Sequence, residues 1–89
     1  MPAYSIEFAA SADKTLARLP VVVQRRTVKG IEALADDPRP AGCVKLADTD
    51  GAWRIRVGDY RILYEVHDAR VLVLVIRIGH RKDIYRKGK

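Results

Sequence analysis

The run Trp53-Arg54-Ile55-Arg56-Val57-Gly58-Asp59-Tyr60-Arg61-Ile62-Leu63-Tyr64-Glu65-Val66 constrains this chain more than any other stretch. From Trp53 to Val57 apolar and basic residues alternate, the period of a strand with one buried face. Gly58-Asp59 is a two-residue connection with glycine first, which suits the type II′ turn of a β-hairpin. With those residues as the turn, Val57 faces Tyr60 and Arg56 faces Arg61 across the ladder. Successive side chains of a strand point to opposite faces. Trp53, Ile55, Val57, Tyr60, Ile62 and Tyr64 therefore form an apolar face, while Arg54, Arg56 and Arg61 gather on the other. Such a hairpin needs an apolar layer over its first face and leaves its second face open.

The preceding residues supply that layer. Tyr4-Ser5-Ile6-Glu7-Phe8 alternates as a half-buried strand. Ala9 to Leu19 changes to a helical period, with Ala9, Ala12, Leu16 and Leu19 in one stripe and Ser11 or Asp13 as candidate caps. Pro20 breaks this helix and suits the first turn of the next. From Val21 to Ala35, the residues Val28, Ile31, Leu34 and Ala35 form the inward stripe; Arg25, Arg26, Lys29 and Glu32 point outward. Asp36-Asp37-Pro38-Arg39-Pro40 ends that helix. A polar connection from Ala41 to Gly51 carries a short strand at Val44-Lys45-Leu46. After His67, the expected turn is Asp68-Ala69, leading into a strand from Arg70 to Ile78. Val71, Val73 and Val75 lie on one face of that strand and Leu72, Leu74 and Ile76 on the other, as in a strand covered on two sides. In this register Arg61 neighbours Ile76. The predicted fold is α+β: an N-terminal strand and a two-helix hairpin packed on an antiparallel sheet of about four strands. With 89 residues, 48% of them hydrophobic, and no linker or repeat, the chain reads as a single domain over 1–89.

Several function classes fall away. No apolar run approaches the ~20 residues that cross a bilayer, and the longest, Val71 to Ile76, is strand-sized. The first residues lack the basic segment and apolar stretch of a secretory signal. Cys43 stands alone, which excludes an internal disulfide and a cysteine cluster. A cytoplasmic protein without membrane, cofactor or metal is expected; Asp59 reads as a turn residue and Asp83 as an ion-pair partner in the tail. Charge narrows the partner. Residues 1–53 hold seven basic and seven acidic side chains, whereas 54–89 hold ten and four, so the second part carries the whole net charge of +6. Concentrated positive charge fits a polyanion, competing with the plainer role of a solubilising surface.

Like charges directly opposite one another destabilise a sheet. Arg54, Arg56 and Arg61 lack an evident carboxylate partner, since Glu65 shares their face two pairs beyond Arg61. Such crowding is tolerated where an anion neutralises it, and guanidinium groups match phosphate with paired hydrogen bonds at any physiological pH. The C-terminal segment adds His80, Arg81, Lys82, Tyr85, Arg86 and Lys87. A basic segment with an imidazole and a phenol can contact phosphate and stack a base. A solvated arginine face with an ordinary basic tail is the competing reading of the same residues.

The Trp53–Val66 run resembles the central hairpin of RelE/ParE toxins. Val75-Ile76-Arg77-Ile78-Gly79-His80-Arg81-Lys82-Asp83-Ile84-Tyr85 looks like the ending of the RelE branch, and the order of elements agrees over nearly the whole chain. The resemblance implies the toxin of a type II toxin–antitoxin system, an endoribonuclease that cleaves mRNA on the ribosome and inhibits translation. It also implies a cognate RelB-like antitoxin, acidic and partly helical, through which the complex binds its own operator DNA. By position, Arg54 and Arg56 match two basic strand residues, lysines in the best-known member. Arg61 matches the arginine after the turn, Arg81 the arginine ending the last strand, and Tyr85 the tyrosine near the C-terminus. Two departures are the arginines in place of lysines and a shorter stretch from Arg81 to Tyr85.

The implied site has Arg56, Arg61, Arg81 and Tyr85 in catalysis, Arg54, His80, Lys82 and Arg86 on the RNA, and no metal. Metal-free cleavage uses the RNA's own 2′-hydroxyl as nucleophile, so the protein must move protons and stabilise charge on phosphorus. Arg56 and Arg61 suit the charge. Arginine does not release its proton, which leaves Tyr85 and His80 as candidates for proton transfer. Two other readings share the hairpin: a ParE-like DNA gyrase inhibitor with no nuclease activity, and an RNA-binding module without catalysis. The second apolar face of the last strand asks for cover, which the antitoxin would supply while masking the arginines.

Overall fold

A computed structural model describes residues 3–46 and 51–80, so Arg81, Lys82, Asp83, Tyr85 and Arg86 lie outside the described residues. Five strands and two helices follow in the order β1 (Ser5–Phe8), α1 (Ala10–Arg18), α2 (Val21–Ala33), β2 (Val44–Lys45), β3 (Ala52–Val57), β4 (Tyr60–His67) and β5 (Leu72–His80). They form one sheet in the spatial order β1-β5-β4-β3-β2, the expected N-terminal strand joining the expected four. β1 runs parallel to β5, and every other pairing is antiparallel.

Alternation puts Ile55, Ile62, Tyr64, Val73, Val75 and Ile78 on one face of the sheet, where they join Ala12, Ile31 and Leu34 from the helices in the core. Full burial of an aliphatic side chain of this size contributes about 2 kcal/mol, so this face dominates the stability. The buried Tyr64 hydroxyl donates to the Pro38 carbonyl at 2.8 Å, anchoring the segment after α2 to the middle of the sheet. Burial pushes that phenol well above its ordinary pKa, and it stays a donor.

Two helix expectations are corrected. Neither Ser11 nor Asp13 caps α1; its N-cap is Ala9, with no side-chain hydrogen bond. The reason is the sheet, because Ala9 N–H donates to the Val75 carbonyl at 2.8 Å and the helix starts directly from the pairing of β1 with β5. In α2 the buried positions are Thr27 and Ile31, followed by Leu34, while Val28 is only half-buried and α2 itself ends at Ala33. The helix is rotated so that Gly30 lies against β3, where a Cβ would come within 2.8 Å of Val57 Cγ2.

The connection from β4 to β5 is longer than a two-residue turn. A single 3-10 turn, Asp68–Arg70, leads to Val71, a β-branched residue at φ 50° and ψ 50°. Three contacts hold it there. Val71 N–H donates to Asp68 O at 3.1 Å, Ser5 N–H donates to Val71 O at 2.8 Å, and the Asp68 carboxylate is clamped from two sides. Tyr4 Oη donates to Asp68 Oδ1 at 2.7 Å, and Arg39 Nη2 meets Oδ2 at 2.7 Å. These donors, Arg39 first, hold the Asp68 carboxyl below the usual carboxylate range. Arg39 also lies over the Trp53 ring, 5.4 Å from its centroid. No helix among the described residues is long and apolar enough to cross a membrane.

Candidate functional site

The expected hairpin register is observed, with Val57 opposite Tyr60 and Arg56 opposite Arg61. Gly58, first in the turn, has φ 59°, the left-handed region that glycine enters without steric cost. Arg54, Arg56 and Arg61 thus share the face turned away from the helices. They differ in depth: Arg56 is exposed, while Arg54 and Arg61 are half-buried. The Arg61 Nε and Nη1 atoms are buried, and neither makes a hydrogen bond among the described residues. Directly opposed residues stand about 5 Å apart at Cβ, so Arg56 and Arg61 bring two positive charges together in a setting that desolvates one of them. Glu65, on the same face, does not relieve them, because its carboxylate meets His67 Nε2 at 2.9 Å.

Across the other ladder the expected register is corrected. Arg61 lies opposite Gly79, not beside Ile76. The pairing steps from Tyr64↔Val75 to Leu63↔Arg77, so Ile76 is an extra residue, a β-bulge in β5. The bulge reverses the parity of everything after it. Val73 and Val75 face the core, and so does Ile78; Leu72 and Leu74 face the other way, and so does Arg77. Two rows therefore cross the open face, Arg54–Leu63–Arg77 and Arg56–Arg61–Gly79. Arg77 is exposed and is a fourth arginine on this surface. Sequence alternation misses it, because Val71, Val73 and Val75 lead the eye to place residue 77 in the buried row. The available signal was that contradiction, an arginine falling where a core residue belongs. The second face of β5 is also less bare than expected, with Leu72 buried and Leu74 half-buried.

His80 pairs with Tyr60, and so sits on the helix-facing side, away from Arg54, Arg56 and Arg61. The two rings meet edge to face with centroids 5.6 Å apart. Along the end of β5, Arg77, Ile78, Gly79 and His80 also line a cleft of about 340 Å3 with Thr15, Arg18 and Leu19 of the α1 end, so Arg77 borders both this cleft and the open face. The structure thus brings Arg54, Arg56 and Arg61 together and separates His80 from them by the thickness of the sheet. Chemically, the open face can bind and neutralise a phosphate; among the described residues it offers no free proton acceptor beside Arg61.

Residues 6–85 match the family model of the ParE toxin of the type II toxin–antitoxin system. Toxin RelG of Mycobacterium tuberculosis is 31% identical over 85 residues, which span 94% of this chain and 98% of that protein. Among solved structures, the toxin–antitoxin complex RelBE2 from Mycobacterium tuberculosis superposes with a TM-score of 0.81 at 28% identity, covering 93% of this chain and 97% of the matched one. The intact Escherichia coli RelBE toxin–antitoxin complex superposes with a TM-score of 0.77 at 30% identity, covering 88% and 96%.

Proposed function

We propose how this chain acts from one premise: it belongs to the RelE/ParE toxin superfamily and is a RelE-like toxin of a type II toxin–antitoxin system. It cleaves messenger RNA held in the ribosome, as one RelE-like domain over residues 1–89. The observation that carries this reading is Arg61, whose guanidinium is partly withdrawn from water beside Arg56 with two nitrogens unsatisfied among the described residues. A buried donor left unpaired costs about 1–3 kcal/mol. A site that binds an anion recovers that cost when the anion arrives.

In the chemistry we assign, the RNA 2′-oxygen attacks the adjacent phosphorus and loses its proton to a base. The bond to the 5′-oxygen breaks, that oxygen takes up a proton, and a 2′,3′-cyclic phosphate remains. Arg61 and Arg56 stabilise the negative charge that builds on the phosphoryl oxygens, often the largest catalytic contribution. Arg54 holds the strand; Arg81 serves the leaving oxygen; Tyr85 accepts the proton or stacks on a base; Lys82 and Arg86 bind the flanking backbone. His80 is reserved for RNA approaching from the α1 side. No metal takes part. Among the described residues the open face offers no proton-transfer group beside Arg61, so the ribosome supplies orientation, an effect worth several kcal/mol. Structural likeness to RelB–RelE complexes supports an acidic RelB-like antitoxin that covers the arginine face, acts in the cytoplasm and brings the pair to operator DNA.

Primer extension on a reporter mRNA in a translating extract tests the reading. The wild type produces discrete cuts that require ribosomes, and Arg61→Ala or Arg81→Ala lowers them by roughly 100-fold, as loss of one charge-stabilising donor does. Intact mRNA together with lost plasmid supercoiling would instead support gyrase inhibition, the alternative carried by the shared hairpin.

A further inference from the structure

The bulge at Ile76 turns Arg77 outward and gives the arginine face a third strand. Continued without it, the register of Tyr64↔Val75 would set Arg77 opposite Ile62, which is fully buried, and Ile78 opposite Arg61. Bulges re-aim side chains near functional sites, and this one exchanges an arginine for an isoleucine in the core. Burial of Ile78 alone would be satisfied by any polar residue at 77. An arginine there adds like charge to a face where Arg56 and Arg61 already oppose each other, and that costs stability unless an anion is shared. Among the described residues no carboxylate pairs with Arg77, and the only carboxylate on its side of β4, Glu65, is held by His67.

Within this geometry Arg77 lies diagonal to Arg61, about 7–8 Å away across one strand spacing. Arg54 and Arg77 flank the half-buried Leu63 from the two neighbouring strands, roughly 10 Å apart. We infer that Arg77, with Leu63 as floor and Arg54 beyond it, forms a second phosphate subsite that grips the backbone phosphate next to the one held by Arg61. This rests on the RNA-cleaving reading of the arginine face. Arg77 is a binding residue: it fixes the strand across the sheet and takes no part in proton transfer or bond cleavage.

The test is a fluorescence-anisotropy titration of the full chain with an uncleavable 2′-O-methyl RNA decamer, at salt from about 50 to 200 mM, the range over which phosphate contacts change affinity most visibly. Each phosphate contact contributes about 0.7 to the slope of log affinity against log salt for a single strand. Arg77→Ala lowers the slope by about that amount and weakens binding several-fold, and Arg77→Lys restores the slope. Arg70→Ala, which removes the same charge at the other end of β5, leaves both unchanged. Circular dichroism confirms that all variants fold. In the translating extract Arg77→Ala needs more toxin for half-maximal cutting and reaches the same maximal rate. An unchanged slope for Arg77→Ala, an equal loss for Arg70→Ala, or no binding by the wild type overturns the subsite. A lowered slope with mRNA left uncut upholds the subsite and removes the cleavage reading instead.

Discussion

Arg61 carries its charge into a half-buried position on β4, with Nε and Nη1 unsatisfied among the described residues and Arg56 directly across the ladder. A side chain placed for stability would not be arginine there. Replacing a poorly compensated buried ion by an apolar group of similar volume is often neutral or stabilising. Because Arg61 is partly exposed, the gain is modest. Arg61→Met should raise the unfolding free energy of the isolated chain by about 1 kcal/mol in urea titrations while, on the proposed reading, lowering mRNA cutting by roughly 100-fold. A variant that is both inactive and less stable would make Arg61 a structural residue. At this scale the hairpin arginines were legible, because alternation and a glycine-first turn dictate both face and register. Arg77 was not, since one inserted residue at Ile76 reverses parity and nothing in the local pattern marks where a strand bulges. Val71 escaped for a related reason: its left-handed backbone is imposed by Ser5 and Asp68, distant in sequence or held by distant donors.

Helix α2 meets β3 through a glycine. Alanine is the better helix former by about 1 kcal/mol, yet at Gly30 its methyl group would stand 2.8 Å from Val57 Cγ2. Valine has little rotamer freedom with which to yield, and overpacking of this kind costs about 1–3 kcal/mol. Gly30→Ala should therefore destabilise the wild-type chain, whereas the same change in a Val57→Ala background should be stabilising by up to about 1 kcal/mol. Equal effects in the two backgrounds, measured by chemical denaturation, would remove the close approach as the reason for glycine. The helices themselves were legible from their apolar period and from Pro20 and Pro38. Their rotation was less so, because Thr27 reads as polar and Val28 as core, whereas Thr27 shares the inward side with Gly30, three residues on and close against β3. The missing N-cap of α1 has the same origin, a strand pairing that holds Ala9 where a side chain would otherwise be needed.

Across the whole molecule, the Asp68 clamp ties the start of β1, the loop after α2 and the turn before β5 into one contact. Its pKa in the fold lies below the ordinary 3.8, through Arg39 first and Tyr4 second. A depressed carboxylate stabilises the fold above its unfolded pKa, and that contribution disappears as pH falls through the folded value. Wild type should exceed Asp68→Asn in thermal midpoint at pH 6, and the gap should close progressively below pH 3.8. A gap that persists undiminished in acid would assign the difference to something other than the carboxylate charge. The α+β class and the order of elements were readable because each segment announces its own period. The seat of β1 at the edge, parallel to β5, was not, since pairing between segments so far apart leaves no mark on either one.

That seat has a consequence for how the molecule comes into being. Ser5 must wait for its distant partner Leu72, and β5 is both the last strand among the described residues and an interior strand of the finished sheet. Long loops must close before such contacts return any free energy, which delays them. The strand that positions Arg77 also supplies the floor on which β1 and α1 settle. A nascent chain halted before β5 therefore owns a hairpin of arginines and no scaffold to aim them, so the arginine face takes its final form only after Leu72–His80 has emerged.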